Sequence, residues 1–366
     1  MRVLDRHRRI PVVLAGAALL TLAVAPAAAA QPGPAPRCSP TVSERGFSDA
    51  LNKAEHHGVE VGGLSSLAFD ARSRAWASTV DNHGRDPARI WFFTDLADPV
   101  VARDPLVLEK PDGTPYLGTD SDNEGLAVLP DGDYLVSSET EPSIRIFGRD
   151  GAQKAALPVP ARFGVAGGGS AGQATANATL EGLTISRSGR EIVAAMEGAL
   201  AGDVSASGDA SLHRFLVYTT DRHGQWRLAR QVGYRAEPGM RVPEVAAYGE
   251  DSLLVEEAAF DAATGNSVNL FAVTGLDHAP DVGPIANLSA APARDVMRKR
   301  PVAELVNCPP LGATAPEHQT NPLLDNYEGM AVNGNAGGLT GVSLISDDNF
   351  SATQTTRVLN LVARLP

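Results

Sequence analysis

The stretch Asn123-Glu124-Gly125-Leu126-Ala127-Val128 returns along the chain as Leu180-Glu181-Gly182-Leu183-Thr184-Ile185 and as Tyr327-Glu328-Gly329-Met330-Ala331-Val332. Weaker echoes are Pro243-Glu244-Val245-Ala246-Ala247 and Gly62-Gly63-Leu64-Ser65-Ser66-Leu67. Glu124, Glu181, Glu244 and Glu328 lie 57, 63 and 84 residues apart. A phrase recurring at such intervals marks a repeat architecture in which each copy sets the same residue type in an equivalent place.

Outward from the phrase, each copy reads strand, turn, strand, turn, strand. Gly125 to Leu129 runs into the turn Pro130-Asp131-Gly132, followed by Tyr134 to Ser138, Ser143 to Phe147 and a second turn at Arg149-Asp150-Gly151. Alternating apolar residues flanking Asp-Gly signal hairpins. Later copies repeat this at Leu183–Ser186, Glu191–Ala195 and Arg214–Thr219, at Ser252–Val255 and Asn269–Val273, and at Gly341–Ile345 and Arg357–Val362. An earlier one reads Leu67–Asp70, Ala75–Val80 and Arg89–Phe93. Helical periodicity is nearly absent. The fold expected is an all-β propeller of six blades, one of them shared between the chain ends, with five or seven left open. Residues 275–325, rich in proline, stretch the last interval as an insertion.

The N-terminus reads as a secretory signal peptide over residues 1–30. Arg2, Arg6, Arg8 and Arg9 precede an apolar run from Pro11 to Val24 and the small residues Ala28-Ala29-Ala30. The run is short for a membrane anchor, so cleavage near Ala30 and a secreted or cell-envelope location are expected, by Sec or twin-arginine export. Residues 31–44 read as a flexible leader and 45–366 as the propeller. Setting aside the four arginines and Asp5 of the signal leaves 27 basic and 42 acidic residues, a net charge of −15. That balance argues against nucleic acid and anionic membrane surfaces as partners. The two cysteines, Cys38 and Cys308, form an even pair in an exported chain and are expected to join as one disulfide across 270 residues.

A second recurrence concerns chemistry. The second strand of each copy ends in acid: Asp81, Glu139, Glu197, Glu256-Glu257 and Asp347-Asp348. If equivalent positions face one axis, Asp81, Glu124, Glu139, Glu181, Glu197, Glu328 and Asp347 ring the mouth of a channel. Crowded carboxylates need a cation, a proton or a basic group between them. Hard divalent cations take several oxygens, and Ca²⁺ six to eight, so the ring reads as a Ca²⁺ site. The competing reading makes Glu-Gly a packing device, with glycine allowing close approach and glutamate bonding loop amides. Arg145, Arg162, Arg187 and Arg214 are candidate phosphate clamps, and His56, His57, His83 and His213 candidate acid–base groups. No Gly-x-Ser-x-Gly elbow, P-loop or dinucleotide fingerprint appears.

Taken in order, Asp120 to Ala127, Ser137-Ser138-Glu139-Thr140 with Ile144 to Phe147, Asn177 to Leu183 with Met196-Glu197, Asn326 to Met330 and Ser346 to Phe350 resemble the phytase-like family, also described as "esterase-like activity of phytase". The resemblance covers residues 60 to 364 and implies a secreted propeller hydrolysing phosphoesters. On this reading the seven carboxylates hold Ca²⁺ or another divalent cation, Glu139, Glu197 and Arg162 are catalytic, and Arg145 and Arg162 bind a small phosphorylated or ester substrate. The protein is expected to act as a monomer. Two rivals stand beside it: a non-catalytic cell-envelope propeller binding a ligand or protein, with structural Ca²⁺, and a lactonase-like hydrolase.

Overall fold

The computed structural model describes residues 37–82, 84–167 and 171–366. The region read as a signal peptide lies outside the described residues. Five sheets follow one another along the chain. Blade 1 comprises Ala68–Asp70, Ala75–Thr79, Arg89–Phe93 and Leu106–Val107; blade 2 comprises Asn123–Val128, Tyr134–Ser138, Ser143–Phe147 and Gln153–Leu157. Blade 3 is built from Leu180–Ile185, Glu191–Met196, Leu212–Thr220 and Trp226–Arg235, and blade 4 from Val245–Ala247, Ser252–Asp261, Gly265–Thr274 and Lys299–Glu304. Each is an antiparallel meander. The helical elements among the described residues are short 3₁₀ turns, and no described helix is long and apolar enough to cross a membrane.

Blade 5 closes the circle. Tyr327–Ala336, Leu339–Ser346 and Val358–Ala363 come from the end of the chain, and Val42–Ser48 and Arg37–Ser39 add to them from its beginning. Val42–Ser48 runs antiparallel to Val358–Ala363, with Ser43 opposite Val362. The propeller therefore has five blades rather than six, because the blade shared between the ends is the fifth. Of the segment read as a leader, Arg37–Ser39 and the start of Val42–Ser48 are strand, and residues 31–36 lie outside the described residues. The insertion at 275–325 contains the outer strand of blade 4, which the irregular proline spacing concealed.

Five buried apolar clusters each lie between two successive blades and so carry the ring closure. Ala77 and Ile90 of blade 1 pack on Leu126 and Val136 of blade 2; Leu135 and Ile144 on Leu183 and Ala194; Val193 and Val217 on Val245 and Val255; Leu254 and Leu270 on Met330 and Leu344; Ile345 and Val358 on Leu67 and Trp91. Burial on both faces explains why the strands read as nearly continuous apolar runs. Cys38 and Cys308 are joined, clipping the outermost strand of blade 5 to the segment that follows the outer strand of blade 4.

Candidate functional site: a carboxylate ring on the propeller axis

The packing assigns the register of the repeated phrase. Leu67, Leu126, Leu183, Val245 and Met330 all face the preceding blade, so they are equivalent. The two residues before them are Ser65-Ser66, Glu124-Gly125, Glu181-Gly182, Pro243-Glu244 and Glu328-Gly329. The glycine is a contact residue. A Cβ on Gly125 would sit 2.5 Å from the Glu181 carbonyl oxygen, one on Gly182 2.8 Å from Glu244 Cα, and one on Gly329 2.5 Å from the Ser66 carbonyl carbon. Only a missing side chain lets neighbouring inner strands approach so closely. Hydroxyls from second strands fasten the same seam: Thr79 Oγ1 donates to the Glu124 carbonyl at 2.8 Å, and Ser137 Oγ to that of Glu181 at 2.7 Å.

The fourth copy has slipped by one residue. Glu244 occupies the glycine slot rather than the glutamate slot, and its Oε1 accepts backbone N–H groups from Leu183 and Val245 at 2.9 and 2.8 Å. In that blade the packing-device reading is the one observed. Its second-strand acids also leave the axis pattern. Glu257 bonds Tyr234 and Lys299, and Ala258 stands where the other blades carry their strand-end acid.

In the other blades the strand-end acids are in register. Val136 opposes Leu126, Ala194 opposes Leu183 and Leu344 opposes Met330, and the pairing of Ala77 with Ala68 sets Ser78 level with Leu67. Glu139, Glu197, Asp347 and Asp81 follow at the same offset. Ligand oxygens of Asp81, Asp122 and Glu124 lie within 4.8 Å of one another, as do those of Glu124, Glu181 and Glu328, and those of Glu139, Glu181 and Glu197. Asp347 is hydrogen-bonded to Glu328, while Asp348 turns away to the Gly63 N–H and Lys53. All seven expected carboxylates therefore converge, joined by Asp122.

One side chain that sequence reasoning passed over completes the ring. Arg241 forms an antiparallel bridge with Ala258, so the fourth blade contributes a cation where the others contribute acids. Its guanidinium lies 2.9 Å from Glu197, 2.9 Å from Glu328 and 3.6 Å from Glu181, and donates to Asn326 Oδ1 at 2.6 Å. The available signal was the broken phrase itself: the copy that lacks glycine carries a basic residue just upstream.

Burial and mutual repulsion raise the pKa values of Asp81, Glu124, Glu139, Glu181, Glu197 and Asp347. Burial first, and then Asp122, push Asp81 up to about 10; burial and then Glu197 push Glu139 up to about 8. Glu124, Glu181 and Asp347 stand well above the ordinary carboxylate range for the same two reasons. Burial also raises Glu197, although Arg241 pulls it back. Burial opposes the charge on Arg241, but Glu328, Glu197 and Glu181 outweigh it and keep the guanidinium protonated. Glu181 Oε2 and Asp122 Oδ1 are buried without a hydrogen-bond partner among the described residues. Such orphaned oxygens call for a proton, a water or a cation.

The family described as "Phytase-like: Esterase-like activity of phytase" matches residues 59–350. The chain belongs to this family. Among solved structures, it is similar to a protein of unknown function from Dyadobacter fermentans, with 9% identity, a TM-score of 0.45 and coverage of 89% of this chain and 100% of that one. It is also similar to a gluconolactonase from Xanthomonas campestris, with 14% identity, a TM-score of 0.37 and coverage of 90% and 92%. The PQQ-bound aldose sugar dehydrogenase from Streptomyces coelicolor shows 14% identity, a TM-score of 0.37 and coverage of 82% and 79%. No curated protein sequence matches the chain.

Beside the ring, this phytase-like propeller carries a cleft of about 1270 Å³ between blades 3 and 4, with Glu197 and Arg241 on its inner wall. His213, Arg235, Arg298 and Lys299 also line it. His213 is buried, which pushes its pKa down to about 4. The arginines expected on substrate lie elsewhere. Arg162 donates to the Ile285 and Ala286 carbonyls. Arg145 is buried against Tyr116 and donates to Ser121 Oγ. Arg214 is sealed onto Asp203 and the Val282 and Ile285 carbonyls, a structural role. His83 lies outside the described residues.

Proposed function

We propose that this phytase-like chain is an exported phosphoester hydrolase that depends on a divalent cation, Ca²⁺, held by the axial ring. The observation carrying the reading is the set of overlapping carboxylate triples within 4.8 Å, containing buried oxygens without partners. That spacing is about twice a Ca–O bond of roughly 2.4 Å, so one ion would touch every member of a triple. Arg241 divides the ring. Glu181, Glu197 and Glu328 already have this counterion. Asp81, Asp122 and Glu124 hold ligand oxygens within 4.8 Å of one another, and Asp122 Oδ1 is buried without a hydrogen-bond partner among the described residues, so this end is the proposed primary cation site, with Glu139 and Asp347 beside it.

A bound cation would neutralise substrate phosphate and acidify a water molecule. The rest falls to the chain's own residues. Arg241 faces both ring and cleft and can present its planar N–H fork to a phosphate, the role expected of Arg162. Glu139, raised to about 8, is suited to moving a proton near neutral pH, with Glu197, also raised, beside it. Arg235, Arg298 and Lys299 make the cleft receptive to an anionic substrate. Export agrees with the disulfide, which persists in oxidising compartments.

One observation favours a second reading, a non-catalytic binding propeller. Arg241 is itself a resident cation and satisfies three ring carboxylates without metal. Turnover of p-nitrophenyl phosphate with Ca²⁺ and with chelator separates the two, with gluconolactone as a parallel substrate. Calcium-dependent phosphate release, reduced at least tenfold in Glu139→Ala and Glu197→Ala, is expected. Full activity and unchanged calcium affinity in both variants would overturn the assignment, and turnover of the lactone alone would move it to the lactonase class.

A further inference from the structure

A separate cluster lies on the hairpin that precedes blade 1. Ala54–His56 pairs with Val59–Val61, with Glu55 opposite Glu60 and His56 opposite Val59. The connecting residues are His57 and Gly58, both at positive φ, 52° and 80°, as a two-residue I′ turn requires. Successive residues of a strand point to opposite faces. Here the left-handed turn swings His57 back beside His56, and the two imidazole rings lie 4.2 Å apart between centroids. Both face one carboxylate from a different part of the chain: His56 Nε2 is 2.8 Å and His57 Nδ1 2.9 Å from Asp104 Oδ1. The three ligand atoms lie within 4.8 Å of one another.

We infer that His56, His57 and Asp104 form a peripheral site for a transition-metal dication such as Zn²⁺ or Cu²⁺, distinct from the axial ring. Two imidazoles and one carboxylate are the donor set these ions favour, whereas Ca²⁺ and Mg²⁺ seek oxygen alone. For Zn²⁺, with bonds of about 2.0–2.2 Å, neighbouring ligands of a tetrahedron are about 3.4 Å apart. The two nitrogen–oxygen separations, 2.8 and 2.9 Å, need to open by only about half an ångström to reach it. Each imidazole nitrogen facing Asp104 presents its lone pair to the metal by placing its proton on the other ring nitrogen, so two neutral histidines bind without losing a proton. The fourth position faces solvent, since the His57 and Asp104 side chains are 77% and 73% exposed. The ion would tie the hairpin to the loop between Val101 and Leu106 on the rim of blade 1.

The test uses the full exported chain, freed of any histidine tag and kept in excess Ca²⁺ to fill the ring. Titration with Zn²⁺, followed calorimetrically, is expected to show one site with a dissociation constant at or below the micromolar range. His57→Ala and Asp104→Asn should each weaken it at least tenfold. Because the His56 ring lies 6.1 Å from the Trp91 ring, Cu²⁺ should quench part of the tryptophan emission in the wild type and not in His56→Ala. Zn²⁺ binding no tighter than millimolar overturns the site. So does wild-type affinity in the His57→Ala/Asp104→Asn double variant, which would place the ion on other histidines.

Discussion

Replacing Arg241 by Met tests whether the ring is a set of opposed charges waiting for a cation. The guanidinium is the one cation paired with Glu181, Glu197 and Glu328 among the described residues, and Met keeps the length of the side chain while removing the charge. Breaking a buried pair by deleting one partner costs about 3–5 kcal/mol, because the remaining charges stay buried. A folded unit of roughly 330 residues has an unfolding entropy of about 0.7 kcal/mol/K, so the loss corresponds to a Tm lower by about 4–7 °C. The full effect belongs at pH 8 in chelator. At pH 5.5 Glu181 and Glu197, which burial holds above the ordinary carboxylate range, take up protons more readily, and the loss should shrink. Calcium at 100 times its Kd should return about 2.7 kcal/mol by mass action, and calcium affinity itself should rise because a competing cation is gone. Differential scanning calorimetry at both pH values, with EDTA and with Ca²⁺, reads all of this. If Arg241→Met in EDTA at pH 8 melts within 1 °C of the wild type, Arg241 is not the counterion of the ring and the division into two halves fails.

Further expectations concern the scaffold. Gly182→Ala drives a Cβ to 2.8 Å from both Glu244 Cα and Val245 N, and overpacking backbone against backbone should cost about 1–3 kcal/mol; urea unfolding checks it, with Gly249→Ala, whose Cβ would meet nothing nearer than 3.5 Å, as the comparison. Reducing Cys38–Cys308, or substituting Cys38→Ser, should destabilise by up to about 5 kcal/mol, because the bridge closes a 270-residue loop; equal melting with and without reductant refutes this. Glu44, 4% exposed, has neither carboxylate oxygen partnered among the described residues, and burial raises its pKa from 4.5 to about 7. Between those values the unfolded carboxyl ionises while the folded one keeps its proton, so stability falls as pH rises through that window and is level above it. Glu44→Gln should therefore stabilise the protein at pH 8 by up to about 3 kcal/mol and flatten its pH–Tm curve between 4.5 and 7, without effect at pH 4.

The repeated phrase made the architecture legible because its two halves obey different rules. The leucine and the glycine answer to packing against the neighbouring blade, which is the same contact in each copy, so their spacing survives variable loops. The strand-end acids at Asp81, Glu139, Glu197 and Asp347 were legible for the related reason that pairing with the inner strand fixes their offset. The blade count was not legible, because the first and last copies are completed by strands from opposite ends of the chain. Nor was the fourth copy. A one-residue slip leaves the string Pro243-Glu244-Val245 looking like the others, yet in a strand it exchanges the axis-facing slot for the contact slot. Sequence spacing counts loop residues and does not report that exchange. Arg241 was hidden with it, since its place depends on a single bridge to Ala258 rather than on the repeat.

The same exchange decides how much of the ring is fold and how much is chemistry. If the glutamate slot were needed to build a blade, each copy would fill it with glutamate. Blade 1 has Ser65 there and blade 4 has Pro243, and both blades form, so the slot tolerates residues without charge. The glycine slot is also not absolute, but its substitutes are tied to backbone amides: Ser66 Oγ accepts the Thr79 N–H of its own blade, and Glu244 accepts the Leu183 N–H of blade 3 and the Val245 N–H beside it. Packing therefore explains the second residue of the phrase and not the first. Glu124, Glu181 and Glu328, buried beside one another and beside Asp81, Asp122, Glu139, Glu197 and Asp347, impose a desolvation cost that the propeller does not require. A charge arrangement that burdens its own scaffold and borders a cleft is what the proposed cation site would explain, because packing alone does not call for it.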